Sequence, residues 1–137
     1  MHRSTSLIGT TALLVIAALL LAGCGVGSGT PESKISETTD TYLRSLASGD
    51  TTKACAQLTG DAKTTLGASC TAAMKEIVMR VGRDKLAEAA DVGSSISVDG
   101  SNGSATLRGL NDARIELVDS GSSWLIESGY TLDSSSQ

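Results

Sequence analysis

The sequence predicts an α+β domain in which N-terminal helices pack on one face of a C-terminal antiparallel sheet of about four strands. Apolar residues recur every three or four positions between residues 32 and 81, which is the period of an α-helix. After residue 92 they recur at every second position, which is the period of a strand. Short turns rich in Gly, Ser and Asp separate the alternating segments, as in a meander. Such a sheet packs one face on the helices.

The first predicted helix covers residues 32–47, because its apolar side chains fall on one face. Gly49 suits the C-terminal cap of this helix, and Asp50 suits the N-cap of the next one. A short second helix is expected over residues 51–58, with Ala54, Cys55 and Leu58 pointing inward.

Two further segments carry a helical pattern. Asp61 is a candidate cap for a brief turn through Leu66, and Ser69 for a helix over Cys70–Val81 with the clearest apolar stripe in the chain. The segment 83–90 fits either a short helix or irregular chain.

The strand pattern begins at Val92 and is broken by turn signals at residues 99–103, 109–112 and 119–122. Val92, Ile96 and Val98 share one face of the first strand, and Ala105 and Ala113 alternate with their neighbours in the next two. The side chains expected to face the helices are Ile96, Val98, Leu107, Ile115, Leu117, Trp124 and Ile126. Leu125 lies on the opposite face.

Composition disfavours nucleic-acid binding. The chain has 15 acidic and 11 basic residues, and no cluster of Lys and Arg breaks this balance. A nucleic-acid surface needs several cations facing phosphates, with few repelling acids. The single His is His2, so no metal site or cofactor site is expected.

The N-terminus has the order of a secretory signal. Arg3 lies in an N-terminal region without acids, and residues 7–21 are almost entirely apolar. Fifteen helical residues span only about 22 Å, short of a hydrocarbon core of about 30 Å. A permanent membrane span is the alternative, but the glycines that begin at Gly23 interrupt a helix there.

The signal ends in Leu21-Ala22-Gly23-Cys24, which resembles the bacterial lipobox at all four positions. In lipoproteins with this motif a diacylglycerol is linked to the Cys thiol, a peptidase cuts before the Cys, and the new amine can be acylated as well. The resemblance implies a protein held by lipid at the extracytoplasmic face of the cell membrane; the alternative for Cys24 is an ordinary secreted thiol. The expected divisions are a signal (1–23), a lipidated flexible tether (24–31), the domain (32–132) and a frayed tail (133–137).

Two cysteines remain once Cys24 carries lipid. Cys55 and Cys70 form an even pair in an oxidising compartment, which predicts one disulfide. A redox or metal pair is the alternative. The spacing is not C-x-x-C, however, and zinc requires four ligands.

At the domain level the chain resembles the cystatin-like/NTF2-like group, and in particular its small actinobacterial lipoproteins. The resemblance spans residues 32–126 and is carried by three segments, Tyr42-Leu43…Leu46-Ala47-Ser48-Gly49-Asp50, Ala54-Cys55…Leu58 and Gly121-Ser122-Ser123-Trp124-Leu125-Ile126. It implies a cone between helices and sheet, in which some members bind small apolar molecules and others isomerise or cyclise them. Fold alone does not choose among these functions.

Because the chain lacks Phe, we predict an apolar hollow in that cone. The candidate lining residues are Tyr42, Leu46, Met74, Ile77, Val78 and Trp124. The alternative is that the elements close together, with Tyr42 and Trp124 as ordinary core anchors. No catalytic residue is assigned, since the mature chain lacks His and the familiar hydrolase motifs. We therefore expect a non-enzymatic lipoprotein that binds a small apolar ligand or an envelope protein; the alternative is an NTF2-like enzyme using a pocket carboxylate or tyrosine.

Overall fold

A computed structural model describes residues 29–67 and 69–133. Within them, five helices precede four strands, and the helices pack against the sheet, which confirms the predicted α+β class. The helices are α1 (Pro31–Ser48), α2 (Thr51–Cys55), α3 (Gly60–Thr65), α4 (Cys70–Val81) and α5 (Arg83–Val92). The strands are β1 (Ser94–Asp99), β2 (Asn102–Leu107), β3 (Ala113–Asp119) and β4 (Trp124–Ser128).

The first helix agrees with the prediction within one residue at each end. It begins one residue early because the Thr30 side chain accepts a hydrogen bond from the Ser33 N–H, and Pro31 needs no partner at the first helical position. It ends where Gly49 adopts a left-handed conformation, φ 80°. The Asp50 side chain then accepts from the Lys53 N–H and caps α2, as predicted.

The second helix is shorter than predicted, because its last residues pair with the sheet. α2 ends at Cys55, and Leu58 forms an isolated parallel bridge with Ile126. The Ile126 N–H donates to the Gln57 carbonyl at 2.8 Å, and the Thr59 N–H donates to the Ile126 carbonyl at 2.9 Å. The prediction of a helix over 51–58 was therefore wrong at its C-terminal end, and the segment 57–59 covers the outer edge of β4.

The other helix caps give a mixed outcome. Ser69 accepts from the Ala72 N–H and caps α4, as predicted. Thr59, and not Asp61, caps α3 by accepting from the Ala62 N–H. The open segment 83–90 is helical and continues to Val92, so the assignment of Val92 to the inner strand face was wrong, and its side chain is 47% exposed.

The sheet is an antiparallel meander in the order β1-β2-β3-β4. Its register aligns Ile96 with Ala105 and Ala105 with Ile115, so apolar residues of adjacent strands share the face toward the helices. A register shift between Glu116 and Leu117 brings Leu117 opposite Ile126. The apolar face toward the helices thus continues across all four strands.

The core lies between the helices and this sheet face. Its fully buried large side chains come from both layers and are Ile35, Tyr42, Leu43, Leu46, Leu58, Met74, Leu86, Leu107, Ile115, Leu117 and Ile126. Ile96 and Val98 on β1 are only half-buried, because β1 is at the edge of the sheet.

Two glycines allow close approaches that a side chain would block. A Cβ at Gly103 on β2 would lie 2.4 Å from Ile35 Cδ1, so its absence lets α1 pack closely on the sheet. A Cβ at Gly129 would lie 2.0 Å from the Arg114 carbonyl oxygen, and its φ of 77° also favours glycine.

The segment after β4 belongs to the domain. Tyr130 and Leu132 are buried, at 9% and 5% exposure. Arg80 on α4 donates hydrogen bonds to the Thr131 carbonyl and to the Asp133 carboxylate. Asp133, the first residue of the expected frayed tail, is thus paired with α4. Residues 134–137, the predicted signal and most of the predicted tether lie outside the described residues.

Candidate functional site

The Cys55–Cys70 disulfide is present, as the cysteine count predicts. It joins the last residue of α2 to the first residue of α4, with 6.1 Å between the two Cα atoms. The loop that it closes contains α3 and the segment that pairs with β4. On the chain-entropy model, closing a loop of about 15 residues stabilises the fold by about 3 kcal/mol. The bond therefore holds the α2–α4 corner and the cover of the β4 edge together.

The six candidate lining residues of the predicted hollow come together in one cluster between the helices and the sheet. Tyr42, Leu46 and Met74 have no exposed surface, and Ile77 is 4% exposed. Val78 is half-buried and packs on the edge of this cluster. A guest molecule would have to displace these side chains, which contact one another as in an ordinary protein interior.

Tyr42 is tied to the core at both its ring and its hydroxyl. The phenol donates a 2.6 Å hydrogen bond to the Tyr130 carbonyl and lies 3.5 Å from Met74 Sδ. Burial raises the pKa of the Tyr42 phenol above its ordinary value, Tyr130 raises it further, and Arg80 lowers it. The phenol therefore stays protonated and serves as a donor that fixes the C-terminal segment under α1 and α4.

Trp124 begins β4 and is 3% exposed. Its carbonyl accepts a 2.9 Å hydrogen bond from the Thr38 hydroxyl of α1. Its ring also approaches β2, since a Cβ at Gly103 would lie 3.2 Å from Trp124 Cζ3. The indole and the backbone of this residue both join α1 to the sheet.

Two surface depressions of similar volume flank the core. The first, of about 400 Å³, lies between α1 and the β3–β4 turn, and Lys34, Glu37, Gln57, Ser122 and Trp124 contribute to its walls. The second, of about 380 Å³, lies between α4 and the C-terminal segment. Both are open and have mixed polar and apolar walls, so neither has the enclosed apolar shape of a typical small-molecule site.

The charged side chains that pair do so at the surface. Arg44 donates to the Asp40 carboxylate at 3.0 Å and to Asp91 at 3.1 Å, which links α1 to α5. These two hydrogen bonds raise the pKa of the Arg44 guanidinium. Among residues 29–67 and 69–133, no group of three or more His, Cys, Asp or Glu is placed to hold a metal ion.

No family model matches this chain, and no curated protein or solved structure is significantly similar to it. In the part of the chain that the structure describes, no helix is long and apolar enough to cross a membrane. Cys24 lies outside that part.

Sequence reasoning missed three groups that join α1 and α4 to the sheet and to the C-terminal segment. They are the Thr38 hydroxyl, the Arg80 guanidinium and the buried Tyr130. Tyr130 follows a Gly in a polar stretch, so neither the helical period nor the strand period predicts that it is buried. The partners of Thr38 and Arg80 lie 86 and 51 positions away, beyond any local pattern.

Proposed function

We propose that this chain is an extracytoplasmic lipoprotein, anchored through lipid on Cys24, with a non-enzymatic domain that acts through its surface on a protein of the cell envelope. The observation that carries the proposal is Leu21-Ala22-Gly23-Cys24 at the end of an apolar segment that follows Arg3. Two acyl chains on one Cys give stable attachment, because each buried CH₂ contributes about 0.8 kcal/mol.

The disulfide supports the extracytoplasmic side of the proposal. Structural disulfides persist in oxidising compartments and are rare in the bacterial cytosol. Cys55 and Cys70 are the two cysteines that remain after Cys24, and they pair with each other. The chain therefore uses one Cys for lipid and two for a staple, and leaves no thiol for catalysis.

The packing of the core favours a surface role over binding of a small apolar ligand. The side chains that were expected to line a hollow are buried against each other, and Tyr42 is held by its hydrogen bond to Tyr130. The same hydrogen bond gives Tyr42 a structural role instead of an acid–base role. A surface role draws its binding energy from exposed residues of the helices, the turns or the sheet.

The anchor also limits which end of the domain lies near the bilayer. From Cys24 to Pro31 the chain spans seven residues, which is at most about 25 Å when fully extended. The N-terminal end of α1 is therefore kept near the lipid.

The β1–β2 and β3–β4 turns lie side by side, since the Asp119 N–H donates to the Ser101 carbonyl at 2.9 Å. Ile35 near the start of α1 contacts β2 close to this pair of turns.

Replacement of Cys24 tests the anchor. In a bacterium that processes lipoproteins, the Cys24→Ala variant should accumulate as unprocessed precursor or be released from membranes, while Ser28→Ala in the same segment should fractionate as the parent does. Processing before residue 24, followed by membrane attachment that survives Cys24→Ala, would contradict lipid anchoring.

A titration separates a surface role from a ligand role. Fatty acids and a hydrophobic dye should show no saturable binding to the folded domain, and the fluorescence of Trp124, the only Trp, should stay unchanged. Saturable binding with a 1:1 end point would contradict the surface role and would favour the apolar-ligand alternative.

A further inference from the structure

The two edge strands of the sheet differ in whether another segment pairs with their outer side. β4 is covered on its outer edge by the segment 57–59, through the hydrogen bonds between Ile126 and both Gln57 and Thr59. β1 is the other edge strand, and among the described residues no strand pairs with its outer side. The sheet therefore presents one open row of backbone donors and acceptors.

Apart from Asp99 at its end, β1 lacks the features that usually protect an open edge. Its sequence, Ser94-Ser95-Ile96-Ser97-Val98-Asp99, has no Pro, no Lys and no Gly, and the register shift of the sheet lies between β3 and β4. All six residues pair with β2 in a regular register. Exposed edge strands of this kind are templates for pairing with another strand, and natural proteins otherwise block them with charge, Pro or bulges.

The hairpin geometry shows which backbone groups are available. Asp99 and Asn102 face each other across a two-residue loop, with Gly100 at a φ of 61°. Such a loop is closed by a hydrogen-bonded pair, and hydrogen-bonded positions alternate along an antiparallel ladder. The N–H and C=O groups of Ser94, Ile96 and Val98 consequently point to the open edge.

We propose that β1 pairs with β1 of a second copy of this chain, antiparallel about a two-fold axis at Ser97. In an antiparallel pair, opposed residues must point to the same face of the sheet. The axis at Ser97 brings Ile96 opposite Val98 of the second copy, and Val98 opposite its Ile96. Both side chains are half-buried in the single chain, and each pair buries part of the surface that is still exposed.

A second copy of this chain fits the open edge because the sequence of β1 is complementary to itself. Because Ile96 and Val98 lie two positions apart on one face, the strand is complementary to its own antiparallel copy. On the outer face the same register brings the Ser95 hydroxyl opposite the Asp99 carboxylate, which can accept from it. Because only one edge is open, the pairing closes as a dimer and does not propagate into a fibre.

Cysteine cross-linking of the full chain in membranes tests this register. Ser97→Cys creates the one free thiol, opposite its own copy at a Cα separation of about 4.5 Å, which a disulfide can bridge. Ser95→Cys is the matched control, since it lies on the same exposed face but roughly 14 Å from its own copy. A mild oxidant should give on the order of tenfold more dimer with Ser97→Cys, because a disulfide cannot bridge the longer gap.

A charge variant tests the contact without cross-linking. Ser97→Lys places two ammonium groups opposite each other and should raise the dimer dissociation constant at least about tenfold. Ser122→Lys, in the exposed β3–β4 turn at the opposite side of the sheet, carries the same charge change and should leave the constant unchanged. Mass photometry of the full chain in detergent measures both, with thermal unfolding to verify that each variant is folded.

Three results would overturn the proposal. They are equal cross-linking of the two Cys variants, a Ser97→Cys adduct whose mass shows a different protein, and a parent chain that stays monomeric at micromolar concentration in detergent and yields no cross-linked dimer in membranes.

Discussion

Thr38 and Thr39 are neighbours on α1 with opposite hydrogen-bond status. Both are buried, at 8% and 2% exposure. The Thr38 hydroxyl donates to the Trp124 carbonyl at 2.9 Å, whereas Thr39 Oγ1 has no hydrogen-bond partner. Replacement of each by Val keeps the shape of the side chain and exchanges a hydroxyl for a methyl group. Val and Thr have similar helix propensities, so the comparison isolates the hydroxyl.

The two substitutions should change the free energy of unfolding in opposite directions. The Trp124 carbonyl points away from β3, as the Ile126 carbonyl two residues later does, so Thr38→Val leaves it without this donor. An unsatisfied buried acceptor costs about 1–3 kcal/mol, and an added methyl returns at most about 0.8 kcal/mol. We expect Thr38→Val to lower the free energy of unfolding by about 1–2 kcal/mol.

Thr39→Val removes a buried hydroxyl that makes no hydrogen bond in the folded state. Burial of an unpaired hydroxyl costs about 1–3 kcal/mol by mutational data, so its removal should stabilise the fold by about 1 kcal/mol. In a domain of this size, each kcal/mol shifts Tm by roughly 4–8 °C. Urea unfolding followed by circular dichroism measures both variants. Destabilisation by Thr39→Val of more than about 1 kcal/mol, as large as that by Thr38→Val, would refute the reasoning.

Three further predictions concern the backbone, the staple and the buried phenol. Gly129→Ala should lower the free energy of unfolding by more than about 3 kcal/mol, because the added Cβ clashes with the Arg114 carbonyl and the φ is positive. Gly121→Ala, with a positive φ but open space around it, should lower it by about 1 kcal/mol. Equal losses in urea unfolding would contradict this. Replacing Cys55 and Cys70 together by Ala should cost about 3 kcal/mol, and an unchanged Tm would contradict a structural staple. Because the pKa of Tyr42 is raised in the folded chain, the unfolded chain loses its phenol proton near pH 10 while the folded chain keeps it. The stability that this group contributes is therefore complete below pH 10 and falls as the pH rises further. Tyr42→Phe should flatten that alkaline loss, and an unchanged slope in urea unfolding between pH 9 and 11 would count against it.

The predictions from local pattern succeeded where one face of an element is buried and its ends carry caps. Helix α1 has both, with Gly49 in a left-handed conformation where the sequence indicates it. The alternation of Ala113, Ile115 and Leu117 likewise matches their burial on β3. In these elements the local preference and the tertiary packing agree, so the sequence alone is sufficient.

The errors lie where a distant partner decides the local structure. Leu58 continues a helical pattern, but the backbone around it pairs with Ile126, 68 positions later. Val92 alternates with the strand residues, but it completes α5 before Gly93 ends that helix. Neither outcome follows from a local window.

The lipoprotein proposal is tested most directly at the Cys24 sulfur. The measurement is intact mass spectrometry of the full chain, purified from membranes of the bacterium that expresses it. The proposal predicts a chain that begins at Cys24, carries the mass of a diacylglyceryl group with or without a further acyl chain, and is two hydrogens lighter for the Cys55–Cys70 bond. A membrane-bound chain that still begins at Met1, or a mature chain whose Cys24 is unmodified, would contradict it.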